Sequence, residues 1–95
     1  MITSKQRAAL RALANPVPAI FQIGKGGVTD NLLKQLDEAL TARELIKIHV
    51  LETSFLHPRD TLNELAASLG AEPVQAIGSR IVLYRESKEN KVIEI

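Results

Sequence analysis

Phe21-Gln22-Ile23-Gly24-Lys25-Gly26-Gly27-Val28-Thr29-Asp30 is the stretch on which the fold turns. Upstream of the glycines, Val17, Ala19, Phe21 and Ile23 alternate with other residues, which predicts a strand over 17–23 with those four on one face. Downstream, Thr29 suits a helix N-cap and Asp30 suits the first turn of that helix. Leu32, Leu33, Leu36, Ala39 and Leu40 continue as an apolar stripe at helical spacing over 30–42. The segment therefore reads strand, glycine-rich loop, helix. Glycines allow positive φ and close approach to the main chain, a helix N-terminus offers unpaired N–H groups, and Lys25 adds a full charge. Such a loop is suited to a phosphate. A Walker-type nucleotide loop is disfavoured, because no Gly-Lys-Ser/Thr ending is present and no helix starts on Lys25. A Rossmann fingerprint fails because Thr29 stands where its third glycine is needed. Gly24 and Gly27 do have the spacing of a Gly-x-x-Gly backbone clamp for nucleic acid. On these residues alone, a clamp and a plain turn stand equally.

Thr3 and Gln6 form a capping box for a helix ending before Asn15-Pro16. Its buried side is expected to carry Leu10 and Leu13, and its other side Lys5, Arg7 and Arg11. Residues 45–51 alternate as a second strand, Ile46, Ile48 and Val50 against Leu45, Lys47, His49 and Leu51. Pro58 opens a third helix whose stripe is Leu62, Leu65, Ala66 and Leu69, with Gly70 as its C-terminal cap. Strands over 72–77 and 80–85 flank Gly78-Ser79, a two-residue hairpin connection. A short terminal extension is expected over 92–95. Strand–helix–strand crossovers require parallel pairing and the hairpin antiparallel pairing. The expected fold is a two-layer α/β (α+β) domain, α-β-α-β-α-β-β, with a four-stranded mixed sheet. Helices 30–42 and 58–69 cover one face, and the place of the first helix stays open.

With 95 residues and 45% apolar content the chain suits one packed domain, residues 1–95. It has no cysteine, which excludes a disulfide framework, a thiolate zinc site and a cysteine nucleophile. No apolar run approaches the roughly 20 residues of a membrane span. Met1 to Leu13 lacks the apolar run of a secretory signal, so the cytoplasm is the expected location. Net charge is +1, unevenly spread. Residues 1–29 hold Lys5, Arg7, Arg11 and Lys25 without an acid, and residues 30–95 hold all 11 acids. That asymmetry suits either a polyanion-facing surface or ordinary solvated charge.

Residues Thr3 to Gln6, Ile23 to Thr29, Glu44-Leu45-Ile46-Lys47 and Val82-Leu83-Tyr84-Arg85 resemble the CRM domain, named for chloroplast RNA splicing and ribosome maturation. The resemblance runs over about residues 3–94, in order and spacing, and the size is similar to bacterial YhbY-type members. It implies an RNA-binding domain with a fold like the C-terminal domain of translation initiation factor three. It also implies association with precursors of the large ribosomal subunit, and it places the family's Gly-x-x-Gly loop on Gly24 to Gly27. The position two after Lys47 is often basic in the family and is His49 here.

The candidate RNA-binding residues are Gly24, Lys25, Gly26 and Gly27, with Lys5, Arg7 and Arg11 flanking, and Thr29, Arg80 and Arg85 beside them. Arg85 has an alternative, an ion pair with Glu86 or Glu94. Phe21 and Tyr84 read as packing residues, which leaves Phe55 as the one aromatic expected in an exposed loop. The domain is therefore expected to read RNA backbone and shape rather than to stack bases in specific pockets. His49 and His57 have no second ligand at metal-binding spacing, and no catalytic dyad is legible. The expectation is no enzyme, no metal or organic cofactor, no membrane partner and no small-molecule substrate, with rRNA of a large-subunit precursor as partner. A protein-interaction module using the open sheet edge or the third helix is the alternative, and a small phosphate-ligand binder a more distant one.

Overall fold

The computed structural model describes residues 2–95; Met1, where the basic N-terminal stretch begins, lies outside them. The elements are α1 (Ser4–Ala14), β1 (Phe21–Ile23), α2 (Asp30–Arg43), β2 (Leu45–Val50), a 3-10 turn (Glu52–Ser54), α3 (Pro58–Leu69), β3 (Glu72–Ile77) and β4 (Arg80–Tyr84). The sheet order is β1-β2-β4-β3. β1 runs parallel to β2, while β4 lies antiparallel between β2 and β3. The expected α/β fold with a four-stranded mixed sheet is what forms.

Alternation along the strands splits the sheet into two faces. Ile46, Ile48 and Val50 of β2, Ile81 and Leu83 of β4 and Ile23 of β1 pack against Leu36 and Leu40 of α2 and Leu62 and Leu65 of α3. This is the larger core, covered by the two expected helices. The opposite face carries a smaller cluster, in which Leu10 and Ala14 of α1 pack on Leu45, Val74, Val82 and Tyr84. α1 therefore sits alone across the back of the sheet.

Three expectations change. The first strand is Phe21–Ile23 rather than 17–23. Pro16 and Pro18 have no N–H to give a ladder, and the Val17 N–H donates back to the Ala14 carbonyl at 3.0 Å, finishing the helix. Leu13 is 46% exposed, and Ala14 with Leu10 meets the sheet instead. The contact stripe runs through positions 7, 10 and 14, one step round the helix from the expected one. The extension over 92–95 joins no strand of the sheet; the Val92 and Ile93 N–H groups are held by Glu44.

Glu44 is fully buried at the C-cap of α2, with φ 66°. Its carboxylate accepts the N–H groups of Ser87 (2.7 Å), Val92 and Ile93 (2.7 Å). Its own carbonyl accepts from Arg85 N–H. Burial pushes the carboxyl pKa up, but the three backbone donors and the Lys91 charge outweigh this and hold it below its ordinary value.

Candidate nucleic-acid interface

The Gly24–Gly27 segment is a tight turn at the C-terminal end of β1. Gly27 N–H donates to the Gly24 carbonyl at 2.9 Å, and Gly27 has φ +67°, a conformation that disfavours any side chain. Lys25 and Gly26 form the exposed tip. A Cβ on Gly26 would meet no atom within 4 Å, so nothing inside the protein requires glycine there. One side of the turn lies against the segment after β2. Leu51 N–H donates to the Ile23 carbonyl at 2.9 Å, and a Cβ on Gly24 would stand 3.8 Å from Thr53 Oγ1. Thr29 caps α2, its hydroxyl oxygen accepting from Leu32 N–H at 3.1 Å. The Gly27 N–H and the Thr29 oxygen are thus engaged internally, and the tip is what faces solvent.

Strand register carries this corner across the back of the sheet. Gln22 of β1 lies opposite His49 of β2, His49 opposite Arg80 of β4, and Arg80 opposite Ile77 of β3. That row crosses all four strands without a carboxylate. Lys47 stands on the same face one step closer to α1, and both Lys47 and His49 are half-buried. Arg80 therefore sits at the glycine-loop end of the sheet. Arg85 leaves β4 at the opposite end.

Arg7 and Arg11 do not touch the loop. α1 lies over Leu45, Val74 and Val82, and Arg11 Nε donates to the Val74 carbonyl at 3.4 Å, which places these arginines at the β3 edge. There Arg7, Arg11 and Arg59 line a cleft of about 560 Å³ between α1, β3 and α3. Among the described residues, Arg7 Nε is buried without an acceptor. Lys5 is exposed on the outer side of α1. Lys47, His49 and Arg80 occupy the face between the loop and the cleft. The alternation of β2 already set Lys47 and His49 on one face, but only the packing of α1 shows that this face stays open. No local signal marks Arg59.

Arg85 is engaged in the fold. Its guanidinium donates to the Asp37 carboxylate (2.7 Å), the Leu69 carbonyl (2.9 Å), the Asp37 carbonyl (2.9 Å) and the Thr41 hydroxyl (3.0 Å). The partner is Asp37, 48 residues away, and not Glu86 or Glu94; Glu86 instead pairs with Lys91. This fork ties β4 to α2 and to the end of α3. Lysine cannot reproduce the fork. Arg85→Lys should lower stability by about 1–2 kcal/mol in urea unfolding, by loss of charge-assisted hydrogen bonds. Among the described residues the ion pairs are Arg85–Asp37 and Lys91–Glu86, so Lys25, Lys47, Arg80, Arg7, Arg11 and Arg59 keep unneutralised charge.

The CRS1 / YhbY (CRM) domain model matches residues 2–85. This chain belongs to the CRM domain family. The probable RNA-binding protein YqeI of Bacillus subtilis is 50% identical over 95 residues, covering 100% of this chain and 99% of that one. An RNA-binding protein of Haemophilus influenzae is 32% identical over 91 residues, covering 96% and 92%. The solution structure of the protein SAV1595 from Staphylococcus aureus superposes with a TM-score of 0.80 at 47% identity, covering 100% of this chain and 99% of that one. In this CRM domain the Gly24–Gly27 segment is the exposed turn after β1, and the carboxylate-free row on the open sheet face begins beside it.

Proposed function

We propose that this CRM domain is an RNA-binding protein of ribosome assembly, acting in the cytoplasm on rRNA in precursors of the large subunit. The observation that carries the reading is the carboxylate-free row from the glycine turn through His49 and Arg80, flanked by Lys47. The names of the two relatives point to the same ligand. Lys25 and the tip N–H groups would hold phosphates, because a full charge and main-chain donors converge there with no side chain in the way. Arg80 and Lys47 would carry the backbone across the sheet, and Arg7 and Arg11 would meet it at the far edge. Thr29 acts as the cap that fixes the loop, and Lys5 adds long-range attraction. Arg85 is left out of this interface, since its fork is already occupied. The reading assigns no catalytic residue and no cofactor.

Sucrose-gradient sedimentation of cell extract tests the target. The protein should co-migrate with immature large-subunit particles and leave them after ribonuclease treatment. Migration with free protein or with small-subunit particles would remove the large-subunit assignment. Titration of structured rRNA fragments tests RNA binding itself.

A further inference from the structure

Phe55 is 93% exposed and lies outside both apolar clusters. Its backbone sits at φ 58°, ψ 18°, the left-handed region that a bulky side chain seldom occupies. The turn that holds it is closed from several sides. Ser54 Oγ donates to the Leu51 carbonyl at 2.7 Å and accepts from Leu56 N–H at 3.1 Å. Phe55 N–H donates to the Glu52 carbonyl at 3.0 Å. A large ring is thus presented to water on a strained, well-tied turn, a combination that recurs where a residue contacts a ligand.

The position of the turn indicates which ligand. Leu51 and Thr53 begin the same turn; Leu51 N–H donates to the Ile23 carbonyl at the end of β1, and both side chains lie where a Cβ on Gly24 would point. Phe55 closes that turn, four residues after Leu51 and directly after Ser54. A backbone held at the Gly24–Gly27 tip would bring its neighbouring nucleotide to this ring. The immediate sequence, Glu52, Thr53, Ser54 and His57, is polar apart from the half-exposed Leu56. That is too little apolar surface for a protein partner and enough for one flat face.

We propose that Phe55 is a base-stacking residue, taking an unpaired nucleobase of the RNA whose backbone lies on the glycine turn. The proposal rests on the RNA-binding reading above and adds to it. The RNA must offer an unpaired nucleotide, in a loop, bulge or end, next to the gripped phosphate. Stacking on one face is tolerant of base identity, because every base has a π-face. This departs from the expectation that the domain reads backbone and shape alone.

The chain has no tryptophan, so Phe55→Trp places a single tryptophan at the site, excited apart from Tyr84. RNA hairpins with and without unpaired nucleotides serve as probes at fixed salt. The tryptophan emission should be quenched by the hairpin carrying unpaired nucleotides and little by a fully paired one. Phe55→Ala and Phe55→Leu should both weaken binding of the first hairpin by roughly tenfold, with the salt dependence unchanged because no charge is lost. Phe55→Trp should retain affinity. Wild-type affinity in Phe55→Ala, with emission unmoved at RNA saturation, would overturn the stacking role while leaving RNA binding intact. Emission that responds to protein concentration rather than to RNA would assign the ring to a protein contact and overturn it as well. Failure of the wild-type protein to bind either hairpin would reject the RNA reading, and the stacking role with it.

Discussion

Replacing Glu44 by glutamine or alanine is expected to cost this domain about 3 kcal/mol of stability and to release its last residues. The wild-type carboxylate has no solvent exposure and accepts three backbone N–H groups, from Ser87, Val92 and Ile93. Alanine leaves all three donors without a partner. Glutamine keeps the volume but turns one acceptor oxygen into a donor that faces other donors. The released tail recovers water for its own N–H groups, which is why the loss stays near 3 kcal/mol rather than the sum of three charged hydrogen bonds. In a domain of this size that corresponds to roughly 15 °C in Tm. Thermal melts give the magnitude. Amide exchange at Ser87, Val92 and Ile93 should rise to solvent rates in the variant.

The same contact sets an acid response. The folded pKa of Glu44 lies below its ordinary value of 4.5, since the backbone donors and Lys91 outweigh the effect of burial. The folded state then binds fewer protons than the unfolded one in that window, so this contribution is fully present above about pH 4.5. It is lost as pH falls through the lowered folded value. The Tm difference between wild type and Glu44→Gln should therefore be widest at neutral pH and shrink below about pH 4.5. A difference that stays constant down to pH 3 would show that the carboxylate charge is not what binds the tail.

Replacing Lys25 by glutamate should weaken RNA binding by roughly tenfold at physiological salt and leave Tm nearly unchanged. The side chain is exposed and makes no ion pair, so its removal takes nothing from the fold. If about four cations meet phosphates in the wild type, log K falls against log salt with a slope of about −3 to −4. A fourfold rise in salt then weakens binding about a hundredfold, and Lys25→Glu should make the slope shallower by about one. A flat response in the wild type would reject an electrostatic interface. Gly26→Ala separates the lysine from the main chain. A methyl group there meets nothing in the protein, so folding is unaffected. Close approach of a phosphate to the tip would be blocked, and affinity should fall while the salt slope holds. Equal affinity in both variants would remove the turn from the interface.

The short-range features of this chain follow from local chemistry. Thr3 and Gln6 cap α1 reciprocally at 3.1 and 2.9 Å, as their spacing requires. Gly78 takes φ 58° in the two-residue hairpin, and Gly70 takes φ 61° at the end of α3. The strand–glycine turn–helix unit, with Lys25 at its tip, is legible because each residue acts within a few positions of itself. The mixed sheet follows from the order of elements, since crossovers and hairpins each allow one pairing direction. The path of a basic surface was not legible. Lys5, Arg7 and Arg11 are neighbours of the glycine turn in sequence, yet α1 carries Arg7 and Arg11 to the opposite sheet edge.

Periodicity, capping and φ preferences act locally, so the helices and strands, their order and the exposed glycine turn can be read from the chain alone. The partners of the charges emerge with the fold. Arg85 finds Asp37 across 48 residues, and Glu44 finds Ser87, Val92 and Ile93 at the chain end. Arg59 joins Arg7 and Arg11 through the packing of two helices on opposite faces of β3. A charge selects its partner by distance in space and by burial, and neither is fixed until the sheet has brought remote segments together.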